Sequence, residues 1–126
     1  KDIVKNKNFD FISLQKDIGK NHIKKNNLDK YIFDFSEEAD LGNNAFEDTI
    51  SILKNIKYLI SCDTSIAHLA GTLKIPTFLL LSKNPNWTWG MEVNNKKFYP
   101  NHTILQQVKS GEWDVPVKKL EKILRT

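Results

Sequence analysis

The stretch Tyr58–Leu81, YLISCDTSIAHLAGTLKIPTFLLL, decides the fold. It begins with an apolar, β-prone run, Tyr58–Cys62, and ends with another, Thr77–Leu81, which Pro76 introduces. Both runs are nearly continuous in apolar residues. Strands of this kind are buried on both faces, as in a parallel sheet covered by helices. Between them, Thr64–Leu73 predicts a short helix. Ile66, Leu69, Ala70 and Leu73 recur at i, i+3, i+4 and i+7, which makes a stripe for docking on the sheet. At about 100° per residue, Thr64 and His68 point away from that stripe and Ser65 lies at its flank.

Outward from this unit the same alternation continues. Phe9–Leu14 (FDFISL) and Tyr31–Phe35 (YIFDF) read as two earlier strands, and Thr103–Gln106 as a last one. Residues 20–30 are polar and predict a short helix or an irregular turn. Ala45–Ile56 predicts a helix with Phe46, Ile50 and Leu53 on its apolar side, capped by Asn44 with Glu47 as reciprocal partner. Asp114 is expected to cap a final helix bearing Val117, Leu120, Ile123 and Leu124. Residues 1–8 read as a linker or chain end, and 9–126 as one domain. Lys83–Asn101 is a long loop rich in Asn, Pro and Trp. The expected class is α/β, a Rossmann-like open parallel sheet flanked by helices. Such sheets bind ligands outside the carboxyl ends of their strands.

Composition narrows the function. The 126 residues are 40% hydrophobic and 27% charged, which is globular and neither disordered nor fibrous. No run reaches the roughly 18 apolar residues of a membrane span, and no signal-peptide pattern occurs. Cys62 is the single cysteine, so an internal disulfide and a Cys-cluster metal site are excluded, and a cytoplasmic setting is expected. The chain opens with Lys1 and not Met, which suggests a piece of a longer protein. The net charge is +4, and the positive excess falls after residue 63, where acidic residues are few. A modest positive field suits a phosphate-bearing ligand; a solvated lysine surface is the simpler reading. Arg125 is the only Arg and the lysines are scattered, so nucleic acid is not an expected partner.

Candidate site residues gather at the start of the Thr64–Leu73 helix. Its first turn offers free backbone N–H groups and the positive end of the helix dipole, a setting that binds phosphates. Thr64 and Ser65 add hydroxyls, His68 can donate to a phosphate oxygen, and Asp63 can cap the helix or accept from a ribose hydroxyl. Each has a plain structural reading too. Asp-Thr-Ser is a common helix start, and a helical His is often merely solvated or satisfied. Cys62 is expected to be a buried packing residue, facing the core while His68 faces away, so the two do not read as a nucleophilic pair. Gln15 and Lys16 follow the first strand, where a lysine can neutralise a diphosphate or simply lie on the surface. Trp87 and Trp89 can stack on a base or sugar, or pack the loop onto the body. Asp40–Thr49 offers a second helix start, with Thr49 as a possible contact. His22 and His102 have no partners at metal-ligand spacing, and no P-loop, GxGxxG, HExxH or GxSxG occurs.

The segment ISCDTSIAHLAGTLKIPTFLLL resembles the carboxyl-terminal half of GT-B glycosyltransferases. It is closest to the D-T-G-L-x-H-x-A pattern of the ADP-heptose:lipopolysaccharide heptosyltransferase family (glycosyltransferase family 9). The chain also resembles the glycosyltransferase-like domains that follow tetratricopeptide repeats. Their order of motifs is matched by Ser13-Leu14-Gln15, Asp48-Thr49, Asp63 to Gly71, Asn86 to Gly90, Tyr99-Pro100 and Gly111 to Asp114. The resemblance covers roughly residues 9–125 and implies the nucleotide-sugar-binding lobe of a GT-B fold. It implies a donor diphosphate held by Thr64, Ser65, Ile66 and His68, with Lys16 and Gln15 also reaching the phosphates. It implies no bound metal and no cofactor. Two departures matter. Ser65 stands where the heptosyltransferase pattern has Gly, which narrows the approach of a phosphate to the backbone or replaces it with a hydroxyl contact. The acceptor lobe, which usually supplies the catalytic base, has no counterpart in these residues, so no catalytic residue is assigned and the piece is expected to bind without turnover. The expected partners are a nucleotide-diphosphate sugar and the remainder of its own polypeptide. The alternative is a non-catalytic GT-B-like interaction module beside tetratricopeptide repeats. A nucleotide-binding hydrolase or epimerase lobe is a weaker third reading.

Overall fold

A computed structural model of the chain describes residues 3–16, 19, 21–89 and 99–126. Residues 1–2, 17–18, 20 and 90–98, the last of these within the long loop, lie outside the described residues. In chain order the elements are β1 (Phe11–Ser13), α1 (Asn21–Lys25), β2 (Ile32–Asp34), α2 (Glu47–Asn55), β3 (Leu59–Ser61), α3 (Ser65–Thr72), β4 (Thr77–Leu81), β5 (His102–Gln106) and α4 (Asp114–Arg125). Single 3-10 turns occur at Ile3–Lys5 and Trp87–Trp89. The fold is α/β, with open parallel sheets flanked by helices. The strands pair in two sheets among the described residues, not in the single sheet expected: β1 with β2, and β3-β4-β5 in that order. The chain divides accordingly into two units, residues 1–49 and residues 50–124.

In the first unit β1 and β2 are parallel, with Ile12 opposite Phe33. Both of these side chains are exposed, Phe33 at 60%. The period of two along a strand puts Phe11, Ser13, Ile32 and Asp34 on the other face, where three of the four are half-buried. The expected strands were longer because their flanking aromatics are β-prone; the ladder itself holds three residues of each.

The second unit is built on β4. Thr77, Phe78, Leu79 and Leu81 are buried, as a central strand between two parallel neighbours requires. β3 departs from the expectation of burial on both faces. It pairs with β4 alone, and Ile60 is exposed while Leu59 is buried. The core joins Ala67, Leu79, Leu81 and Trp89, with Tyr99 and Ile104 packed against it.

Three helix readings need correction. The buried face of α3 is Ala67, Ala70 and Gly71, while Ile66, Leu69 and Leu73 are only half-buried. Small residues admit close approach of the packed neighbours, and this rotates the buried face from the large apolar stripe. Phe46 is not part of α2: it is exposed, with φ 67°, a left-handed backbone that a bulky residue adopts only under strain. Asp114 is the first residue of α4 and not its cap. Trp113 holds the cap position without a side-chain cap bond, and Asp114 instead places a negative charge in the first turn, where the helix dipole favours it. Pro116 sits in that same turn, where its missing N–H costs nothing, and its buried face continues to Leu120 and Leu124.

Candidate functional site

The two helix starts singled out in the sequence are built differently. In the first unit, Asp40 occupies the start of α2. Its Oδ1 accepts the amides of Asp48 at 2.8 Å and Thr49 at 3.3 Å, and its Oδ2 accepts the Thr49 hydroxyl. In return Asp48 Oδ2 accepts the amide of Asp40 at 2.7 Å. This is the reciprocal logic of a capping box spread over eight residues. Asp40 adopts the left-handed backbone, φ 51°, which Asp tolerates better than most residues. The expected Asn44–Glu47 pairing exists as a side-chain bond of 3.0 Å, but it does not cap the helix amides. Burial pushes the Asp40 carboxyl up. The Thr49 hydroxyl, the amides of Thr49 and Asp48 and the charge of Lys16 together outweigh this and hold it below its ordinary value. An anion finds these amides already taken, and Thr49 is buried rather than offered to a ligand.

Lys16 belongs to this same cluster. It is half-buried, and its ammonium donates to the Ala39 carbonyl. It lines a shallow depression with Ser13, Leu14, Phe35, Ser36, Ala39 and Thr49. Gln15 is exposed, and its amide donates to Ser13 Oγ at 3.3 Å. Lys16 and Gln15 thus sit in the first unit, and Asp63, Thr64, Ser65, Ile66 and His68 in the second.

The start of α3 is open by comparison. Thr64 holds the N-cap position with extended backbone and makes no side-chain cap bond. Its hydroxyl lies 3.0 Å from Ser61 Oγ instead. Asp63, Thr64 and Ser65 are exposed, and Ile66 is half-buried. The amide of Ala67 donates to the Thr64 carbonyl at 3.0 Å, so among the described residues the helix-start amides left without a capping side chain are those of Ser65 and Ile66. All of this follows the carboxyl end of β3, where an open parallel sheet places its ligand sites.

His68 departs from the reading that turned it fully away from the core. Its ring stacks on Trp89, with centroids 4.5 Å apart and planes at 20°. Nδ1 lies 3.2 Å from the Tyr99 hydroxyl. Nε2 lies 3.9 Å from Asp63 Oδ1, and the side chain keeps 37% of its exposure. The reason is the small buried face of α3. Ala67 and Gly71, one residue before and three after His68, bring the helix so close to the aromatic residues that the imidazole is drawn in with them. The cluster extends inward. His102 stacks on Tyr99 and Trp89 at 5.0 and 5.8 Å, is only 3% exposed, and its Nε2–H donates to the Ala67 carbonyl at 3.1 Å. Its Nδ1 is thereby the unprotonated nitrogen, buried with no hydrogen-bond partner among the described residues. Burial pushes the His102 imidazole below its ordinary value. The bond to Ala67 opposes the shift and the neighbouring His68 reinforces it.

The two tryptophans separate. Trp89 is buried in this cluster at 6% exposure, and Trp87 is 80% exposed. Cys62 is exposed and not a buried packing residue, because β3 ends at Ser61 and the chain turns outward there. Partial desolvation of its sulfur and the Asp63 charge push the thiol up, away from the thiolate. Sequence reasoning missed Asp40 as the cap of α2, and it missed Tyr99 and His102 as neighbours of His68. Asp40 precedes its partners by more than one helical turn, and the aromatic cluster joins separate segments with no shared period. Among the described residues no group of three or more His, Cys, Asp or Glu is placed to hold a metal ion, and no helix is long and apolar enough to cross a membrane. Comparison with protein-family models, with curated proteins and with solved structures gave no match. Fold and site together define an α/β protein with an uncapped helix start after the edge strand of a parallel sheet.

Proposed function

We propose that the chain is the donor-binding lobe of a GT-B glycosyltransferase, holding the diphosphate of a nucleotide-diphosphate sugar at the start of α3. The observation that carries the reading is the contrast between the two helix starts. α2 has its amides filled by Asp40, whereas α3 leaves its own uncovered beside two exposed hydroxyls. Uncovered amides at the positive end of a helix favour a phosphate, and Thr64 and Ser65 can each donate one more bond. His68 presents its Nε2 edge alongside. Asp63 tempers the field with its negative charge and can accept from a ribose hydroxyl. Ile66 contributes its backbone amide in the same turn. The Rossmann-like lobe assignment and the need for an acceptor lobe elsewhere in the polypeptide belong to this proposal.

Calorimetric titration with UDP, ADP, GDP and their sugars tests it. At least one is expected to bind at millimolar or lower concentration. Binding should weaken in Ser65→Ala and strengthen toward inorganic pyrophosphate in Asp63→Asn. A folded protein joined to the rest of its polypeptide that binds none of them removes the donor-lobe reading.

A further inference from the structure

We propose that Tyr99 is a positioning residue for His68: its hydroxyl donates to Nδ1, fixes the imidazole proton on Nε2 and directs that donor toward the start of α3. The use of this donor for a diphosphate rests on the reading above; the proton placement does not. The chain of reasoning begins at Asp63. A carboxylate only accepts, and its Oδ1 is the polar group facing Nε2, at 3.9 Å. That favours the tautomer with hydrogen on Nε2. Nδ1 then carries the lone pair, and a tyrosine hydroxyl, able to play either role, becomes the donor across 3.2 Å.

The ring is held by more than this bond. Trp89 covers one face in a stacked arrangement, and Tyr99 meets the edge at 64°. Tyr99 is in turn seated against Gly71, where any Cβ would come within 2.3 Å of its Cδ1. His102 stacks on the Tyr99 ring at 27°. The tyrosine is thus held by contacts that do not involve its oxygen, and the hydroxyl is left to set the proton of His68. Neither position is a catalytic assignment. Tyr99 acts through His68.

The test uses the full chain, labelled with nitrogen-15 at histidine, at about pH 8, above the ordinary imidazole range. Long-range proton–nitrogen spectra report which ring nitrogen bears the proton. In the wild type, His68 is expected in the Nε2–H form with Nδ1 as hydrogen-bond acceptor. Tyr99→Phe keeps the ring and removes the donor, so the Nδ1 resonance should move toward that of a free lone pair and the tautomer ratio should shift about fivefold, the equivalent of one ordinary hydrogen bond. Backbone amide spectra establish that the variant is folded. A wild-type His68 with its proton on Nδ1 overturns the inference, whether or not the variant folds. So does a folded Tyr99→Phe protein with an unchanged ratio. A parallel titration of the wild type with inorganic pyrophosphate addresses the anion reading by itself. Loss of that binding with the Nε2–H tautomer intact would remove the proposed ligand and leave the role of Tyr99 standing.

Discussion

Gly71→Ala is the sharpest perturbation of the cluster beneath the candidate site. In an ordinary helix the change stabilises, by at most about 1 kcal/mol, because alanine loses less backbone freedom. At this position the new methyl would lie 2.3, 2.5 and 2.6 Å from Cδ1, Cγ and Cε1 of Tyr99. Real carbon pairs do not approach so closely, and the atoms met are near the root of the ring, so a small swing of the side chain does not relieve the clash. The ring must leave its seat or α3 must back off β4. Either costs the stack on His102 and the bond to His68, and overpacking of this type costs about 1–3 kcal/mol. Set against the gain in propensity, a net loss of up to about 2 kcal/mol is expected, a fall of up to about 8 °C in Tm for a chain of this size. Thermal unfolding followed by far-ultraviolet circular dichroism measures it, and the near-ultraviolet signal of Trp89 and Tyr99 should change shape. In a Tyr99→Ala background the same substitution should become neutral or stabilising, since the obstacle is gone. A Gly71→Ala protein as stable as the parent, with an unchanged near-ultraviolet spectrum, would refute the packing on which the placement of His68 depends.

Two further outcomes follow from the titrating groups. Asp40→Ala should destabilise by about 1–2 kcal/mol at neutral pH, the scale of a lost helix cap. Because the folded carboxyl is held below its ordinary 3.8, its contribution is present above that value and is lost as pH falls through the depressed folded value. Urea melts across the acid range should show a steeper decline for the parent than for the variant, and parallel declines would count against the cap. His102 supplies the second outcome. Its folded imidazole lies below the ordinary 6.5, so the unfolded chain binds the proton first, and stability present above 6.5 is lost as pH falls below it. His102→Gln keeps a donor for the Ala67 carbonyl and removes the titration, so the slope of stability between about pH 7 and 5 should flatten; an unchanged slope assigns the effect elsewhere.

What the sequence by itself determined was local. The alternation of apolar runs and helical stripes placed every strand to within two residues at each end, and the bounds of β4 coincide with Thr77–Leu81 as read. It also placed Asp63, Thr64 and Ser65 together at the start of α3, because neighbours in the chain remain neighbours around a turn. The tertiary structure alone added Ala67 and Gly71 to the buried face of α3, of which the apolar stripe had given Ala70. Ala67, Ala70 and Gly71 carry little hydrophobic signal, yet their lack of bulk sets how near the packed neighbours can come. Capping of α2 by Asp40 depended on a left-handed backbone at Asp40 that no periodicity encodes. The pairing of strands into two sheets, and the meeting of His68 with Trp89, Tyr99 and His102, were likewise settled by contacts between distant segments. Patterns of period two and 3.6 report which face of an element is apolar. They carry no information on which other element that face will meet, and the environment of the histidine was decided by that meeting.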